Sequence, residues 1–157
     1  MKFDDTDVRL LRDLQKDART NFADIAKECG VSVDTVIKRF QRLKRRGVVR
    51  GTTVLLDPRR LGLDCLSSLQ VTAEPAQVSD VVEKIRAMPG VVFCTPSIGA
   101  QNVFAVAVQS SVSDLGSLKE EVTSLPAVRD VRASIWVGEV LLCPENFELE
   151  RLKEGAA

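Results

Sequence analysis

A weak internal repeat in the second half of the chain constrains the fold more than any other sequence feature. Two segments open with Val-Ser-Asp, at Val78 and at Val112, and each continues as an amphipathic helical pattern, a proline and a β-branched stretch. Strand-like alternation of apolar and polar residues occurs at 65–71, 91–95, 103–108 and 128–137. The order strand, helix, strand, strand, helix, strand predicts a ferredoxin-like βαββαβ domain, with both helices on one face of an antiparallel sheet.

The other face of that sheet would have no helix to cover it. The third strand segment carries Phe104, Val106 and Val108 at alternate positions, so one of its faces is strongly apolar. Two copies of the chain that stack sheet against sheet would bury such a face. We therefore predict a homodimer.

The first part of the chain carries three helical patterns in succession. The second has apolar residues at helical spacing: Phe22, Ile25, Ala26 and Cys29. Gly30 can form a tight turn, and Ser32 is a typical N-cap residue. The third pattern runs from 33 to 46 and ends at Gly47. Two helices joined by a short glycine-containing turn predict a helix-turn-helix.

The third helical pattern separates apolar from cationic residues. Its apolar positions are Val33, Val36, Ile37, Phe40 and Leu43. Its polar and cationic positions are Thr35, Lys38, Arg39, Arg42, Arg45 and Arg46. At about 100° per residue the two sets lie on nearly opposite faces. We expect the apolar face to dock on the first two helices and the cationic face to point into solvent.

Basic residues are concentrated here although the whole chain is neutral, with 22 Lys and Arg against 22 Asp and Glu. The second helix of a helix-turn-helix enters the major groove of DNA, so double-stranded DNA is the predicted partner. The residues predicted to contact it are Ser32, Asp34, Thr35, Lys38, Arg39, Arg42, Arg45, Arg46 and Arg50. Solvated surface is the ordinary alternative for a cationic helix face, and the preceding helix and turn favour DNA.

The segment VVRGTTVLLD, which follows Gly47, predicts two short strands with a turn at Arg50 and Gly51. Such a hairpin would form a wing beside the helix-turn-helix, where Arg50 could contact phosphates. The predicted fold class is therefore α+β: an N-terminal winged helix-turn-helix followed by a C-terminal ferredoxin-like βαββαβ domain.

Residue usage argues against an enzyme or a metalloprotein. The chain has no histidine, and its four cysteines are scattered, so the commonest general base and clustered metal ligands are both missing. We predict no catalytic residues, no metal and no cofactor.

No apolar run reaches the roughly 18–20 residues that span a bilayer, and the acidic start is unlike a secretory signal. We therefore predict a cytoplasmic protein with no membrane partner.

Three segments carry most of these motifs: DDTDVRLLRDLQKDARTNFADIAKECGVSVDTVIKRFQRLKRRGVV, LDPRRLG and PSIGAQNVFAVAV. Together with the βαββαβ pattern they resemble the Lrp/AsnC (feast/famine) family of transcription regulators, over nearly the whole chain. The resemblance implies an N-terminal DNA-binding module and a C-terminal module that forms dimers, which often join into octamers. It also implies clefts between dimers that bind small-molecule effectors, frequently amino acids.

The effector cleft implied by the resemblance lies near the turn GAQN and the last strand. Its candidate residues here are Gly99, Ala100, Gln101 and Asn102. Many members of the family carry an acidic residue at the position of Asn102, and an amide cannot pair with the ammonium group of an amino acid. A different ligand, or none, is therefore the alternative to an amino-acid effector.

The stretch LDPRRLG combines proline and glycine and is predicted to connect two modules. The predicted organisation is a DNA-binding domain at 1–55, a connector at 56–62, an effector-binding and oligomerisation domain at 63–143 and a C-terminal tail at 144–157.

Two other functions are alternatives: a ligand-binding or assembly module whose first domain only packs, and a sirohaem decarboxylase-like protein. The latter depends on a histidine-containing motif near CTPSIGAQN, and histidine is missing from the chain.

Overall fold

The chain divides into two units in the computed structural model, which describes residues 3–138 together with Leu149 and Lys153. Of these, 3–54, Leu149 and Lys153 belong to the first unit, and 55–138 form the second. The first unit contains α1 (Asp5–Lys16), α2 (Phe22–Cys29) and α3 (Val33–Arg45). The second contains a 3-10 turn (Arg59–Leu61), β1 (Cys65–Ala73), a 3-10 turn (Pro75–Gln77), α4 (Val78–Arg86), β2 (Val91–Pro96), β3 (Val103–Gln109), α5 (Val112–Thr123) and β4 (Val128–Ile135). The predicted domain end at 143 and, apart from Leu149 and Lys153, the predicted tail lie outside the described residues.

Side-chain caps fix the starts of the helices in the first unit. Asp4 and Asp7 form a capping box at α1, in which each carboxylate accepts from the backbone N–H of the other residue. Gly30 ends α2 with a φ of 65°, in the left-handed region that glycine tolerates. Ser32 then caps α3 by accepting from the backbone N–H of Thr35. The predicted helix, glycine turn and second helix are confirmed.

The three helices enclose a small apolar core. Its buried members on the helices are Val8, Leu10, Leu11, Ile25, Ala26, Val36 and Leu43. The rings of Phe22 and Phe40 pack beside it with centroids 5.2 Å apart. Phe3 and Leu149, which lie far apart in the sequence, are both buried in this core. The first unit is therefore built from two separate parts of the chain.

The apolar face of α3 is narrower than the sequence predicted. Val36 and Leu43 are buried, but Val33 and Ile37 are each 42% exposed. The prediction that all five apolar residues dock on the other helices was wrong for these two. The reason is geometric: Ile37 directly follows the buried Val36, so its side chain points about 100° away around the helix axis.

The predicted wing is not present, because the described segment 48–57 contains no strand. Val54, Leu55 and Leu56 are exposed there rather than paired. β-branched residues on both sides of Gly51 gave the strand pattern. An isolated two-stranded hairpin is only marginally stable without a third strand or a core beneath it, and nothing described in this segment supplies either.

The second unit has the predicted βαββαβ topology. Its four strands lie in the order β2-β3-β1-β4, and every neighbouring pair is antiparallel. Helices α4 and α5 pack on one face, where Val81, Ile85 and Val122 meet Leu69 and Val103. The close approach of the turn before β2 to β3 requires Gly90, with φ 81°, since a Cβ there would lie 2.7 Å from the carbonyl oxygen of Val108.

The opposite side of the sheet, here called the open face, carries the alternate residues of the same strands. Its members include Leu66, Ser68, Gln70, Phe93, Phe104, Val106, Val108, Arg132 and Ser134. The rings of Phe93 and Phe104 contact each other across two strands, with centroids 6.3 Å apart. The indole Nε1 of Trp136 donates to the Ser68 hydroxyl at 3.3 Å. No described helix covers this apolar centre.

In the part of the chain that the structure describes, no helix is long and apolar enough to cross a membrane.

Candidate nucleic-acid interface and effector region

Helix α3 turns one continuous face away from the core of the first unit, here called the outward face. Its exposed residues are Val33, Asp34, Ile37, Lys38, Gln41, Lys44 and Arg45. At about 100° per residue these positions fall within a sector somewhat under half of the helix circumference. Three of the seven are cationic and one is anionic. The outward face therefore combines positive charge with two aliphatic side chains and an amide.

Arg39 and Arg42 do not belong to this face. The Arg39 guanidinium donates to Asp4 at 2.5 Å and to Asp7 at 3.1 Å. The Arg42 guanidinium donates to both carboxylate oxygens of Asp7, at 2.6 and 2.5 Å. Asp7 is only 1% exposed. These four residues, here called the arginine–aspartate clamp, fasten α3 to the N-terminus of α1.

The expectation that the side chains of Arg39 and Arg42 point into solvent was therefore wrong. Both lie on the flank of α3 that faces α1, about 100° or more from the centre of the outward face. Their partners lie 32 to 35 residues earlier in the chain. A search for acidic residues one helical turn away could not detect them.

Charge stabilises the clamp, in which Asp7 is buried while Asp4 and Arg42 remain partly exposed. Burial raises the pKa of Asp4, but hydrogen bonds from Arg39 and from the Asp7 amide outweigh it, so that the pKa lies below its ordinary value. The hydrogen bond to Asp4 is the main reason that the pKa of Arg39 is raised. The Nε of Arg39 is buried without a hydrogen-bond partner. This guanidinium is therefore positioned by carboxylates and is only slightly hydrated.

Of the remaining predicted contacts at the start of α3, Ser32, Asp34 and Lys38 are exposed and Thr35 is half-buried. The hydroxyl groups of Ser32 and Thr35 lie 2.8 Å apart, and Ser32 also accepts the Thr35 amide. Lys38 pairs with Asp34 at 2.7 Å one turn away, and its side chain is 76% exposed. The hydrogen bond that Lys38 donates to Asp34 raises the pKa of Lys38. All four residues share the N-terminal end of the helix.

The predicted cations at the end of α3 differ from the clamp arginines. Arg45, Arg46 and Arg50 are exposed, and none of them forms an ion pair with another described residue. Lys44 and Gln41, which were not among the predicted contacts, are exposed beside them. A sequence signal for both exists. If the buried stripe is centred on Val36 and Leu43, the angles of Lys44 and Gln41 around the helix axis put them on the outward face.

The four effector candidates lie together on the turn between β2 and β3. Both groups of the Asn102 amide are already used: Nδ2 donates to the Ala73 carbonyl at 2.7 Å, and Oδ1 accepts the Ala73 N–H at 2.8 Å. The Asn102 backbone N–H donates to the Val71 carbonyl at 3.1 Å. Asn102 therefore fastens the turn to the end of β1. Gly99 and Ala100 are exposed, and Gln101 is half-buried.

Cysteine and acidic side chains do not gather into a metal-binding group among the residues that can be described. Cys29, Cys65 and Cys94 are free thiols, and Cys143 lies outside the described residues. Burial raises the pKa of the Cys65 and Cys94 thiols. These thiols are protonated and pack as small apolar groups.

Two family models match the chain. An AsnC-type helix-turn-helix domain matches residues 3–44, and an Lrp/AsnC ligand binding domain matches residues 67–143. An HTH-type transcriptional regulator of Pyrococcus abyssi is 32% identical over 86% of this chain and 86% of its own length.

Two solved structures share the fold. The structure of Escherichia coli AsnC has a TM-score of 0.81 at 21% identity and covers 90% of this chain and 97% of its own. A Neisseria meningitidis transcriptional regulator in complex with L-Met has a TM-score of 0.80 at 21% identity, covering 90% of this chain and 94% of its own. With both family models and a relative of this identity, the chain belongs to the Lrp/AsnC family of transcription regulators.

Proposed function

We propose that this regulator binds double-stranded DNA through the outward face of α3, with the helix held in place by the arginine–aspartate clamp. The observation that carries the proposal is a row of exposed cations on the second helix of a helix-turn-helix. In this motif the second helix lies in the major groove, and its N-terminal residues reach the base edges. The proposal follows from that docking geometry and from the charge of this helix.

The predicted contact residues divide by position. Asp34 and Lys38 lie near the helix start and on the outward face, where base edges are within reach. Ser32 and Thr35 can donate hydroxyl hydrogen bonds to phosphates. Arg45, Arg46 and Arg50 are exposed cations, and we propose that they contact the phosphates of the DNA backbone. Arg39 and Arg42 are positioning residues in this proposal, since their guanidinium groups already bind carboxylates.

Binding and its salt dependence test the proposal directly. Duplexes selected from a random pool with the full chain should bind with log K falling by about 0.9 per phosphate contact for each unit of log salt. Lys38→Ala should weaken binding to the selected duplex by about 1–3 kcal/mol, if its ammonium group contacts a base. Lys119→Ala, which removes an exposed lysine of α5, is the matched control. A salt-independent affinity, or equal losses in both variants, would contradict the proposal.

A homodimer through the open face completes the proposed function. Phe93, Phe104 and Val106 form an apolar centre that water would otherwise contact. A dimer presents two recognition helices, which in this motif read half-sites about 34 Å apart. We expect Val106→Glu to give monomers in sedimentation experiments and to weaken binding to paired half-sites. Ser117→Glu, on the exposed surface of α5, should remain dimeric; a dimeric Val106→Glu variant would exclude this interface. Assembly into octamers stays a prediction.

A small-molecule effector of amino-acid type is a second element of the proposal, and the ligand-binding family model supports it. The Asn102 amide is engaged with Ala73, so we propose that ligand contacts at this turn come from Gly99, Ala100 and Gln101. Calorimetric titration with L-Met and a panel of other amino acids should give heat with at least one of them. Gln101→Ala should weaken that binding, and absence of heat with the whole panel would remove amino acids as effectors.

The proposed partner is duplex DNA in the cytoplasm, and an enzymatic activity is not part of the proposal.

A further inference from the structure

The outward face of α3 carries two aliphatic side chains whose exposure the fold does not require. Val33 and Ile37 are each 42% exposed and lie one helical turn apart. Side chains four residues apart on a helix are neighbours, about 5–6 Å between their Cβ atoms. Val36 and Leu43 already fill the core from positions about 90° away around the helix axis. The two aliphatic groups therefore form a small continuous apolar patch outside the core.

Cations border this patch on one side and along its row. Lys38 and Arg45 lie on one side of it, and Lys44 continues the same row of the helix. A partner of this face must offer negative charge around a small apolar centre. The major groove of DNA has that character, because phosphates border it and the C5-methyl group of thymine projects into it. An anionic lipid surface also combines charge with apolar groups, but two aliphatic residues make too small a face for insertion at a membrane interface.

We propose that Val33 and Ile37 contact thymine C5-methyl groups, so that this regulator discriminates thymine from other bases partly through methyl recognition. The inference rests on the proposed docking of α3 in the major groove. Both residues belong to the N-terminal half of α3, the end that reaches base edges in this motif. Apolar contact with the thymine methyl is an established mode of direct readout. Nothing in the charge pattern of the helix would have predicted this role.

The test replaces thymine by deoxyuridine, which lacks only the C5-methyl group. A duplex selected with the full chain is synthesised with single replacements at each thymine, and affinities are measured at one fixed salt concentration. At contacted positions the wild-type chain should lose about three- to five-fold in affinity per methyl group, the effect of burying one methyl-sized group. 5-Methylcytosine at the same position should bind more tightly than cytosine.

The decisive comparison is between the wild type and variants of the patch. Ile37→Ala and Val33→Ala should lose discrimination between thymine and deoxyuridine at the positions they contact, whereas Ile37→Val should keep part of it. Val112→Ala, which trims an aliphatic residue 63% exposed at the start of α5, is the matched control and should discriminate like the wild type. Effects of deoxyuridine on DNA shape are the same for every variant, so they cancel in this comparison.

Two results would overturn the inference. One is equal wild-type affinity for thymine and deoxyuridine at every position, and the other is unchanged discrimination in the Val33→Ala/Ile37→Ala double variant. In either case a salt-dependent affinity for the duplex would leave the proposed DNA binding intact. Failure to bind any duplex of the pool, or tighter binding to anionic vesicles than to DNA, would remove both proposals together.

Discussion

Arg39 and Arg42 lie within α3, and Arg45 and Arg46 follow them at its C-terminal end, yet the two pairs have different environments. The first pair binds the carboxylates of Asp4 and Asp7. The second pair is exposed to solvent. The angle around the helix axis separates Arg45 from Arg39 by about 120°. Arg46, the C-cap residue, lies on the same side as Arg39 but about two turns further along the axis. The first pair therefore holds α3 in the domain, and the second pair is the one that we propose attracts DNA.

Removing the carboxylate of Asp7, which both clamp arginines contact, should cause the largest loss of stability among these variants. Asp7→Ala leaves two guanidinium groups facing a buried site without their carboxylate, and breaking a buried pair in this way costs about 3–5 kcal/mol. We expect the lower end, about 3 kcal/mol, since Arg42 keeps contact with water. Denaturant unfolding of the first unit measures it. Asp24→Ala, on the exposed first turn of α2, should cost less than about 1 kcal/mol.

Replacing one arginine from each pair separates the contribution to stability from the proposed contribution to DNA binding. Arg39→Ala removes hydrogen bonds to two carboxylates and should destabilise the first unit by about 2 kcal/mol. Arg45→Ala should change the stability by less than about 0.5 kcal/mol, as is usual for exposed positions. Unfolding curves recorded without DNA give both values. Equal losses in the two variants would mean that the clamp contributes nothing particular to stability.

The exposed pair should instead determine the response of DNA binding to salt. In the Arg45→Ala/Arg46→Ala variant we expect the slope of log K against log salt to fall by about 0.9 for each lost phosphate contact. The free energy of unfolding should stay close to that of the wild type. Anisotropy titrations over a series of salt concentrations measure the slope, and an unchanged slope would show that neither arginine neutralises a phosphate.

Acid should weaken the clamp through Asp4. Because its pKa in the folded state lies below the ordinary value of 3.8, the ionised carboxylate stabilises the folded protein above that pH. The contribution is lost as the pH falls through the folded-state pKa. Asn is an equally good N-cap, so Asp4→Asn isolates the charge. The difference in free energy of unfolding between wild type and variant should shrink as the pH falls below about 4. A difference that stays constant would contradict a stabilising charge on Asp4.

The sequence was sufficient for the elements whose signal is local. Gly30 and Ser32 defined the turn and the start of α3, and the repeat at Val78 and Val112 defined the order of the second unit. These features depend on caps, turns and periodicity within a few residues. The same local patterns put most of the predicted DNA contacts on α3 or its caps, where their role stays a prediction.

Long-range contacts account for what the sequence did not predict. The partners of Arg39 and Arg42 belong to a different helix, and their position could be known only after α1 packs on α3. The prediction of the wing was wrong for the opposite reason. Its strand pattern was local, and the described segment has no neighbouring strand or core to stabilise a hairpin. The use of the Asn102 amide by Ala73 likewise depends on the register of two strands.

Burial of Leu149 beside α1, α2 and α3 makes the helix-turn-helix unit discontinuous in sequence, with the second unit inserted within it. A single cut after residue 54 would release helices that lack one of their own core side chains. Fragments ending there should consequently be less stable than the same helices in the intact chain. Any attempt to graft this DNA-binding unit onto another protein has to bring the Leu149 segment with it.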